Sequence, residues 1–287
     1  MKLEFAKYHG TGNDFVMVED LDDQLDLDAN TVAGICDRRF GVGADGLIRV
    51  GGSREAEFFM DYRNADGSVA EMCGNGVRCV GLFLDDRGLV EGDVVRLETR
   101  AGIKDLVLHR EDGRVVSVTV DMGPAAFAKS AIPMRGPAWE DFQMQPVKVG
   151  DLSFTGSAVN MGNPHLVLFV DDEPKDMPVL SAGPHLEFHE AFPEKTNVEF
   201  VKVTPDALLT RVWERGVGET MACGTGACAV LVAANEAGLC GSEGVVRFPG
   251  GDLKIERKDG TVFLTGPAQH VFDGTFSETW IQGRESS

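Results

Sequence analysis

A five-residue loop that occurs twice constrains this chain more than any other feature. The first copy reads Met72-Cys73-Gly74-Asn75-Gly76, and the second, 150 positions later, reads Ala222-Cys223-Gly224-Thr225-Gly226. In each copy a residue that favours helix starts follows Cys-Gly, and an apolar run continues after the second glycine. We therefore expect two helices with a cysteine just ahead of each, capped by Asn75 and Thr225.

The spacing around the two cysteines indicates a duplication. Each helix is expected to stop at a glycine, Gly88 or Gly238. Upstream, Asn13 precedes Cys73 by 60 residues, as Asn163 precedes Cys223. Solenoid repeats have periods of about 20–50 residues, so a repeat this long indicates two copies of one domain.

Strand-like segments surround one central helix in each half, with short connections between them. The predicted fold class is therefore α/β of the α+β type. It has two pseudo-symmetric domains, each a mixed or antiparallel sheet wrapped around a central helix, with the active site in the cleft between them. The proline-rich segment 123–137 is the expected junction. Two further helices are predicted, over 29–38 and 178–192, and the last strand over 270–281.

Composition narrows the class of function. The chain has 287 residues and a formal net charge of −19 at pH 7, which argues against nucleic acid or an anionic membrane as a partner. We find no signal peptide and no run of about 18 apolar residues. Without an export signal, the six cysteines are expected to stay reduced. The expected localisation is cytoplasmic.

Thiols at helix N-termini have a specific chemistry. The N–H groups and partial positive charge of the first turn lower a thiol pKa, and the same N–H groups bind carboxylates. Two such thiols facing one carbon could invert a stereocentre, one removing a proton and the other delivering one. The remaining cysteines are expected to be ordinary core residues; they are Cys36, Cys79, Cys228 and Cys240. Because the chain has no CxxC pair, no metal site is predicted.

Several motifs in order along nearly the whole chain resemble those of the diaminopimelate epimerase family. Besides the two cysteine loops, they are Gly10-Thr11-Gly12-Asn13-Asp14-Phe15, Gly162-Asn163-Pro164-His165 and Trp213-Glu214-Arg215-Gly216. The resemblance implies a homodimeric isomerase that interconverts L,L- and meso-diaminopimelate in lysine and cell-wall biosynthesis, with no cofactor and no metal. It also implies that the last strand returns to the first domain, giving domains 1–123 plus 269–287 and 124–268.

The resemblance also implies a role for individual residues. Cys73 and Cys223 would be the two catalytic acid–base groups, and His165 and Glu214 would tune their pKa values. The carboxylate at the reacting centre would be held by Gly74, Asn75, Gly224 and Thr225. The rest of the substrate pocket would be formed by Asn13, Asn64, Asn163, Asn197, Glu214 and Arg215.

Two alternatives compete with this interpretation. A proline or hydroxyproline racemase-type enzyme resembles the family in fold and in its two thiols, but that family tends to have histidine at the position of Asn75. A non-catalytic amino-acid-binding protein with a redox-sensitive thiol pair would bind ligand and leave the α-hydrogen unexchanged.

Overall fold

The structure is a computed structural model that describes residues 3–277, 279 and 280. The end of the predicted strand 270–281 and part of the predicted segment 269–287 lie outside these residues. The chain divides into two compact units, unit 1 (residues 1–120 and 266–287) and unit 2 (residues 121–265). The boundaries expected from the sequence lie three residues further along the chain, and the identity of the units as two epimerase halves stays a prediction.

Unit 1 contains a sheet packed with helices. Its strands are β1 (Leu3–Gly10), β2 (Asn13–Asp20), β3 (Gly46–Gly52), β4 (Phe58–Asn64), β5 (Val94–Thr99), β6 (Gly102–Glu111), β7 (Arg114–Asp121) and β17 (Gln269–Phe276), and its helices are α1 (Ala29–Cys36) and α2 (Gly74–Asp86).

Unit 2 repeats this plan with small additions. Its strands are β8 (Gln145–Val149), β9 (Leu152–Asn160), β10 (Pro164–Phe169), β11 (Asn197–Val203), β12 (Leu208–Glu214), β13 (Gly218–Thr220), β14 (Glu243–Phe248), β15 (Gly251–Lys258) and β16 (Thr261–Gly266), and its helices are a 3-10 turn (Pro174–Asp176), α3 (Val179–Glu187) and α4 (Gly224–Glu236).

The two units share one strand order. Unit 1 runs β17-β1-β2-β3-β4-β5-β6-β7, and unit 2 runs β8-β9-β10-β11-β12-β14-β15-β16. The parallel pairs are β2–β3 and β4–β5 in unit 1 and their equivalents β10–β11 and β12–β14 in unit 2. Each sheet is therefore mixed and the two units are pseudo-symmetric, which confirms the predicted fold class.

One helix in each unit is almost completely buried. Every residue from Gly74 to Leu84 of α2 is buried, and α4 is buried from Gly226 to Ala234. Helix α2 packs on β1, β2, β4 and β6, and α4 packs on β9, β10, β12 and β15. This burial explains why the run after each second glycine is mostly apolar.

In each unit a shorter helix, α1 or α3, shares a hydrophobic core with side chains from one face of the sheet. Because side chains alternate between the two faces of a strand, Val16 and Val18 join the core that contains α1, while Phe15 lies on the opposite face. In unit 2, Leu166 and Leu168 join the core that contains α3, while His165 lies on the opposite face. This alternation positions the polar residues of the site described below.

Both central helices end as predicted. Gly88 and Gly238 have φ values of 66° and 70°, in the left-handed region that favours glycine. Their N–H groups donate to Asp85 and Asn235 at 2.9 and 3.0 Å. In each helix the next residue, Leu89 or Leu239, donates to the carbonyl five residues before it at 2.9 Å, which completes a Schellman motif.

The predicted capping residues are wrong. The helices begin at Gly74 and Gly224, so the N-cap is the cysteine itself, and both cysteines have extended backbone with φ of −137° and −126°. Asn75 and Thr225 lie inside the first turn, two positions past the N-cap. Each thiol is therefore closer to the helix terminus than expected.

Two further predictions need correction. The helix predicted over 178–192 ends at Glu187, because the chain then forms turns in which His189 donates to Leu186 and Phe192 to His189. The short strand β13 was not predicted. It is only three residues long and is defined by its pairing with β12, which local pattern does not reveal.

The C-terminal glycine of α4 provides a test of these helix ends. Replacing Gly238 by Ala should lower the free energy of unfolding by about 1–2 kcal/mol, because a Cβ is disfavoured at positive φ. Urea denaturation measures this change. Gly92→Ala is the matched control, since no positive φ occurs there and a Cβ would meet no atom closer than 4.0 Å. Equal stability of the two variants would contradict the helix-end geometry.

Candidate active site

A tight turn places an asparagine beside the first thiol. Strands β1 and β2 are joined by Thr11 and Gly12, both with positive φ, so Asn13 begins β2 next to the N-terminus of α2. The Cys73 thiol donates to Asn13 Oδ1 at 3.4 Å, and Asn75 Nδ2 donates to the same oxygen at 3.2 Å. Three predicted site residues therefore meet in unit 1.

The Asn13 amide is fixed from its other side. Asn13 Nδ2 donates to Asp45 Oδ2 at 2.8 Å, so its oxygen is directed at Cys73 and Asn75. Arg38 bridges Asp45 and Asp14 at 2.7 Å each. Burial alone would raise the Asp14 pKa, but hydrogen bonds from Arg38 and Lys7 hold it well below its usual value. Asp45 thus belongs to a charged network beside the site.

A buried arginine ties the same turn to α2. The Arg78 side chain is completely buried and donates to Thr11 Oγ1 at 3.2 Å and to the Gly74 carbonyl at 3.3 Å. These bonds join the β1–β2 turn to the first turn of the helix. The position of Asn13 relative to Cys73 therefore depends partly on Arg78.

The second thiol caps its helix directly. Cys223 is 5% exposed, and its sulfur accepts from the Gly226 N–H at 3.4 Å and lies 3.4 Å from Thr225 Oγ1. Cys73 makes no such cap bond. The two thiols therefore occupy equivalent positions with different partners.

A histidine–glutamate pair lies close to the second thiol's helix. His165 Nδ1 is 2.7 Å from Glu199 Oε1, and both side chains have zero exposure. The other ring nitrogen, Nε2, is 2.8 Å from Asn163 Oδ1. Asn163 follows Gly162, which has positive φ, as Asn13 follows Gly12.

Glu214 adds a second carboxylate near Cys223. It accepts a hydrogen bond from Thr220 Oγ1 and lies close enough to Cys223 for its charge to act on the thiol. Burial raises the Glu214 pKa, opposed by the bond from Thr220. Burial, followed by the charges of Glu214 and Glu199, raises the pKa of Cys223 well above its usual value. Thr225 and the Gly226 N–H act to lower the Cys223 pKa, as expected at a helix N-terminus, but burial and the two carboxylates outweigh them.

The remaining predicted residues have definite places. Asn197 is buried, donates to the Pro164 carbonyl at 2.8 Å and accepts from the Arg215 N–H at 2.9 Å. The exposed Arg215 side chain donates to the Glu194 carbonyl at 3.2 Å. Asn64, at the end of β4, donates to Ser68 Oγ at 3.0 Å, a bond to the segment that follows the strand.

Three residues around the thiols escaped the sequence analysis as site residues. Asp45 orients Asn13, Arg78 anchors the turn, and Glu199 bonds His165. A signal for Glu199 was present, since it is a charged residue between Val198 and Phe200 in an otherwise apolar strand. Arg78 gave a comparable signal, as a charged residue within the apolar run of α2, whereas Asp45 lies in a glycine-rich loop and gave none.

Within the described part of the chain, no three His, Cys, Asp or Glu side chains are grouped as a metal ion would require. No helix among the same residues is long and apolar enough to cross a membrane.

A duplicated mixed sheet, with a cysteine at the N-cap position of the buried helix of each copy, defines an isomerase of the racemase and epimerase class. The model of the diaminopimelate epimerase family matches residues 5–128 and 157–271. The chain belongs to that family, which confirms the resemblance seen in the sequence.

Curated relatives carry the same name. The chain is 46% identical over 278 residues to the diaminopimelate epimerase of Pelotomaculum thermopropionicum, covering 96% of this chain and 99% of the relative. It is 48% identical over 278 residues to that of Desulforudis audaxviator, covering 95% and 98%.

Solved structures share the fold at low sequence identity. A hydroxyproline epimerase from Agrobacterium vitis superposes with a TM-score of 0.70 at 17% identity, covering 96% of this chain and 93% of that one. A phenazine biosynthesis protein of the PhzF family from Bacillus anthracis gives 0.64 at 16%, covering 96% and 99%. These likenesses concern the fold alone.

The charge near Cys223 can be tested chemically. Glu214→Gln removes a negative charge that raises the Cys223 pKa, so more thiolate should be present at pH 8 and alkylation of Cys223 should be at least about threefold faster. Peptide mapping after timed iodoacetamide treatment measures the rate.

Glu236→Gln at the other end of α4 removes the same charge and is expected to leave the rate unchanged. Within each sample, Cys79 is an internal control, because burial raises its pKa to about 12. An unchanged or slower Cys223 rate in Glu214→Gln would contradict the electrostatic account.

Proposed function

We propose that this chain is a diaminopimelate epimerase that interconverts L,L- and meso-diaminopimelate by a two-base thiol mechanism. The observation that carries the proposal is the pair of equivalent thiols, Cys73 and Cys223, each the N-cap of a buried helix. Membership of the family supplies the substrate.

The proposed reaction conserves protons. One cysteine, as thiolate, removes the α-hydrogen of the substrate as a proton, and the electron pair stays on the α-carbon, stabilised by the adjacent carboxyl group. The other cysteine, as thiol, gives its proton to the opposite face of that carbon and becomes the thiolate. The two cysteines exchange roles when the reaction runs in the other direction.

The helix termini would hold the carboxylate next to the reacting carbon. Backbone N–H groups of Gly74, Asn75, Gly224 and Thr225 belong to first helical turns, whose N–H groups have no partner within the helix. A carboxylate there is stabilised by those donors and by the helix dipole. The negative charge that develops as the α-proton leaves is stabilised in the same way.

The asparagines and the Glu214–Arg215 pair would recognise the rest of the substrate. Arg215 can bind a carboxylate with two parallel hydrogen bonds, and Glu214 can accept from an ammonium group. We assign the distal amino-acid centre to this pair with Asn64 and Asn197, and Asn13 and Asn163 to the walls beside the thiols. His165 and Glu214 would set the thiol pKa values, which agrees with the effect of the Glu214 charge on the Cys223 pKa.

Diaminopimelate is favoured over proline-type substrates by several observations. Asn75 takes the position where proline racemase-type enzymes tend to have histidine, and it bonds to Asn13. Identities of 41–48% to diaminopimelate epimerases contrast with 17% to the hydroxyproline epimerase. We further propose that the enzyme works without an added cofactor, in lysine and peptidoglycan-precursor biosynthesis, as a cytoplasmic homodimer.

A single assay tests the function. Purified protein is incubated with L,L-diaminopimelate in deuterated water, and the isomer ratio and α-deuterium are measured together. Approach to an equilibrium of L,L and meso isomers, with deuterium at the inverted centre, is expected. Binding without isotope exchange would instead identify an amino-acid-binding protein, and exchange of proline alone would identify a proline racemase-type enzyme.

Cysteine variants test the mechanism. Cys73→Ala and Cys223→Ala should each lower the epimerisation rate by about 10²–10⁴-fold, the typical contribution of one acid–base group, with unchanged circular dichroism. Cys240→Ala, which removes a thiol outside the site, should keep full activity. Near-normal turnover of either first variant would contradict the two-thiol mechanism.

Arg215 tests substrate recognition. Arg215→Ala should lower kcat/KM for diaminopimelate by at least about 30-fold, because the distal carboxylate loses its charged partner. Its thermal stability should change little, since the side chain is exposed. Arg247→Ala, which breaks the exposed pair with Asp252, should leave kcat/KM unchanged. Equal affinity of wild type and Arg215→Ala for a stable substrate analogue would refute the assignment.

A further inference from the structure

Glu199 is a buried carboxylate that the mechanism above does not use. It lies in β11 between Val198 and Phe200, which face the core that contains α3, so its side chain lies on the opposite face of the sheet. Its exposure is zero, and Oε1 is 2.7 Å from His165 Nδ1. A charged side chain in this position needs a physical reason, because burying it is costly unless it is paired.

Both nitrogens of the His165 ring face oxygen acceptors. Nδ1 meets the Glu199 carboxylate, and Nε2 meets Asn163 Oδ1 at 2.8 Å. This is the hydrogen-bond pattern of a doubly protonated ring. With its oxygen occupied by the ring, Asn163 has its amide nitrogen left to donate to a substrate oxygen. Glu199 therefore influences the site through two residues in series.

The Glu199 carboxylate also lies against the first turn of α4. A Cβ built on Gly226 would be 2.8 Å from Glu199 Oε1 and 3.4 Å from Cys223 Sγ, so a side chain at Gly226 would collide with the carboxylate. The second oxygen, Oε2, is buried and has no hydrogen-bond partner among the described residues. The titratable groups around this point are His165 on β10, Glu214 on β12 and Cys223 on α4.

In unit 1, the positions equivalent to His165 and Glu199 have uncharged side chains. Phe15 follows Asn13 by two residues, as His165 follows Asn163. Phe15 pairs with Gly46 and His165 with Asn197, so the equivalent of Glu199, two residues further along the neighbouring strand, is Ile48.

The packing of the first helical turn agrees with this equivalence. A Cβ on Gly76 would be 2.9 Å from Ile48 Cδ1, in the place where one on Gly226 would meet Glu199. A phenylalanine and an isoleucine therefore fill in unit 1 the space that a histidine and a glutamate fill in unit 2. Since an apolar pair of this kind is often at least as stabilising as a buried ion pair, stability alone does not explain the charged pair.

We propose that Glu199 is a positioning residue for the epimerisation, holding His165 in its doubly protonated form and in fixed orientation beside Asn163 and Cys223. The inference rests on the function proposed above and extends it to a residue that does not touch substrate. The proposal also makes the electrostatic environments of the two thiols different, because Phe15 and Ile48, the equivalent residues in unit 1, contribute no charge near Cys73.

Glu199→Gln tests the charge while retaining an oxygen for the Nδ1–H bond. We expect kcat to fall by about 10- to 100-fold, as for other residues that orient a functional histidine, with KM changed less than about threefold. The pH profile of kcat should change in shape. Asp61→Asn, which neutralises a buried carboxylate paired with Arg100 in unit 1, is the control and should retain the wild-type pH profile.

Histidine ring NMR gives a readout that is independent of substrate. Long-range ¹H–¹⁵N correlation spectra, with the His165 signals identified by their loss in His165→Phe, should show two protonated ring nitrogens in the wild type at neutral pH. Glu199→Gln should show one, because a buried charged ring without its counter-charge is disfavoured. An unchanged ring signal together with unchanged kcat overturns the proposal.

The double variant His165→Phe/Glu199→Ile reproduces the Phe15 and Ile48 pair of unit 1 and covers the case in which Glu199→Gln does not fold. We expect it to fold with a melting temperature at or above that of the wild type and to lose at least about tenfold in kcat. Wild-type kcat in this variant would show that the pair is structural only and would overturn the proposal.

The two levels of inference fail separately. If the wild type does not exchange the α-hydrogen of diaminopimelate, the proposed function fails, whereas the NMR result still decides whether Glu199 fixes the protonation of His165. If the wild type is active and the ring and kcat are both insensitive to Glu199→Gln, only the positioning role fails.

Discussion

The N-cap position of each cysteine is the constraint on which the rest of the structure depends. A residue at the N-cap has extended backbone, while its side chain can reach the free N–H groups of the first turn. Cys223 uses this geometry directly by accepting from Gly226, and Cys73 bonds instead to Asn13. At this position a thiol and a bound carboxylate can share the free N–H donors of the first turn. This arrangement needs a rigid helix terminus, and a helix that is buried along its length has one. The sheet wrapped around α2 or α4 provides that burial.

Much of this arrangement was predictable because it is local or repeated. The glycine ends of α2 and α4, the strands before them and the duplication follow from spacing and from residue types whose backbone preferences are strong. The caps were predicted two residues too late, since Asn and Thr are better capping residues than Cys in general and the pattern gave no reason to prefer the thiol. The pKa of Cys223 could not be predicted from the sequence, because burial and the charges of Glu214 and Glu199 depend on tertiary packing.

The three site residues whose roles were not predicted from the sequence share one property. Asp45, Arg78 and Glu199 act on other residues of the site, and their partners lie 32, 67 and 34 positions away in sequence. Sequence periodicity predicts which face of a strand a residue occupies, but not which side chain of another element it meets there. The duplication partly overcomes this, because a difference between equivalent positions, such as Ile48 and Glu199, marks a place where the two copies have separate tasks.

The pairing of β17 with β1 has a consequence for the order in which the protein can form on the ribosome. Phe5 lies opposite Gly274 in that pair. The outer edge of β1, an early strand in synthesis, is therefore covered only after β17, a late one, has been made. Unit 2 is continuous in sequence and is complete before β17 has been made. During that interval a nascent chain exposes the free edge of β1, which can pair with strands of other chains. The N-terminal unit is therefore the later of the two to complete its sheet, and a ribosome that stalls before residue 269 leaves a product with an open edge.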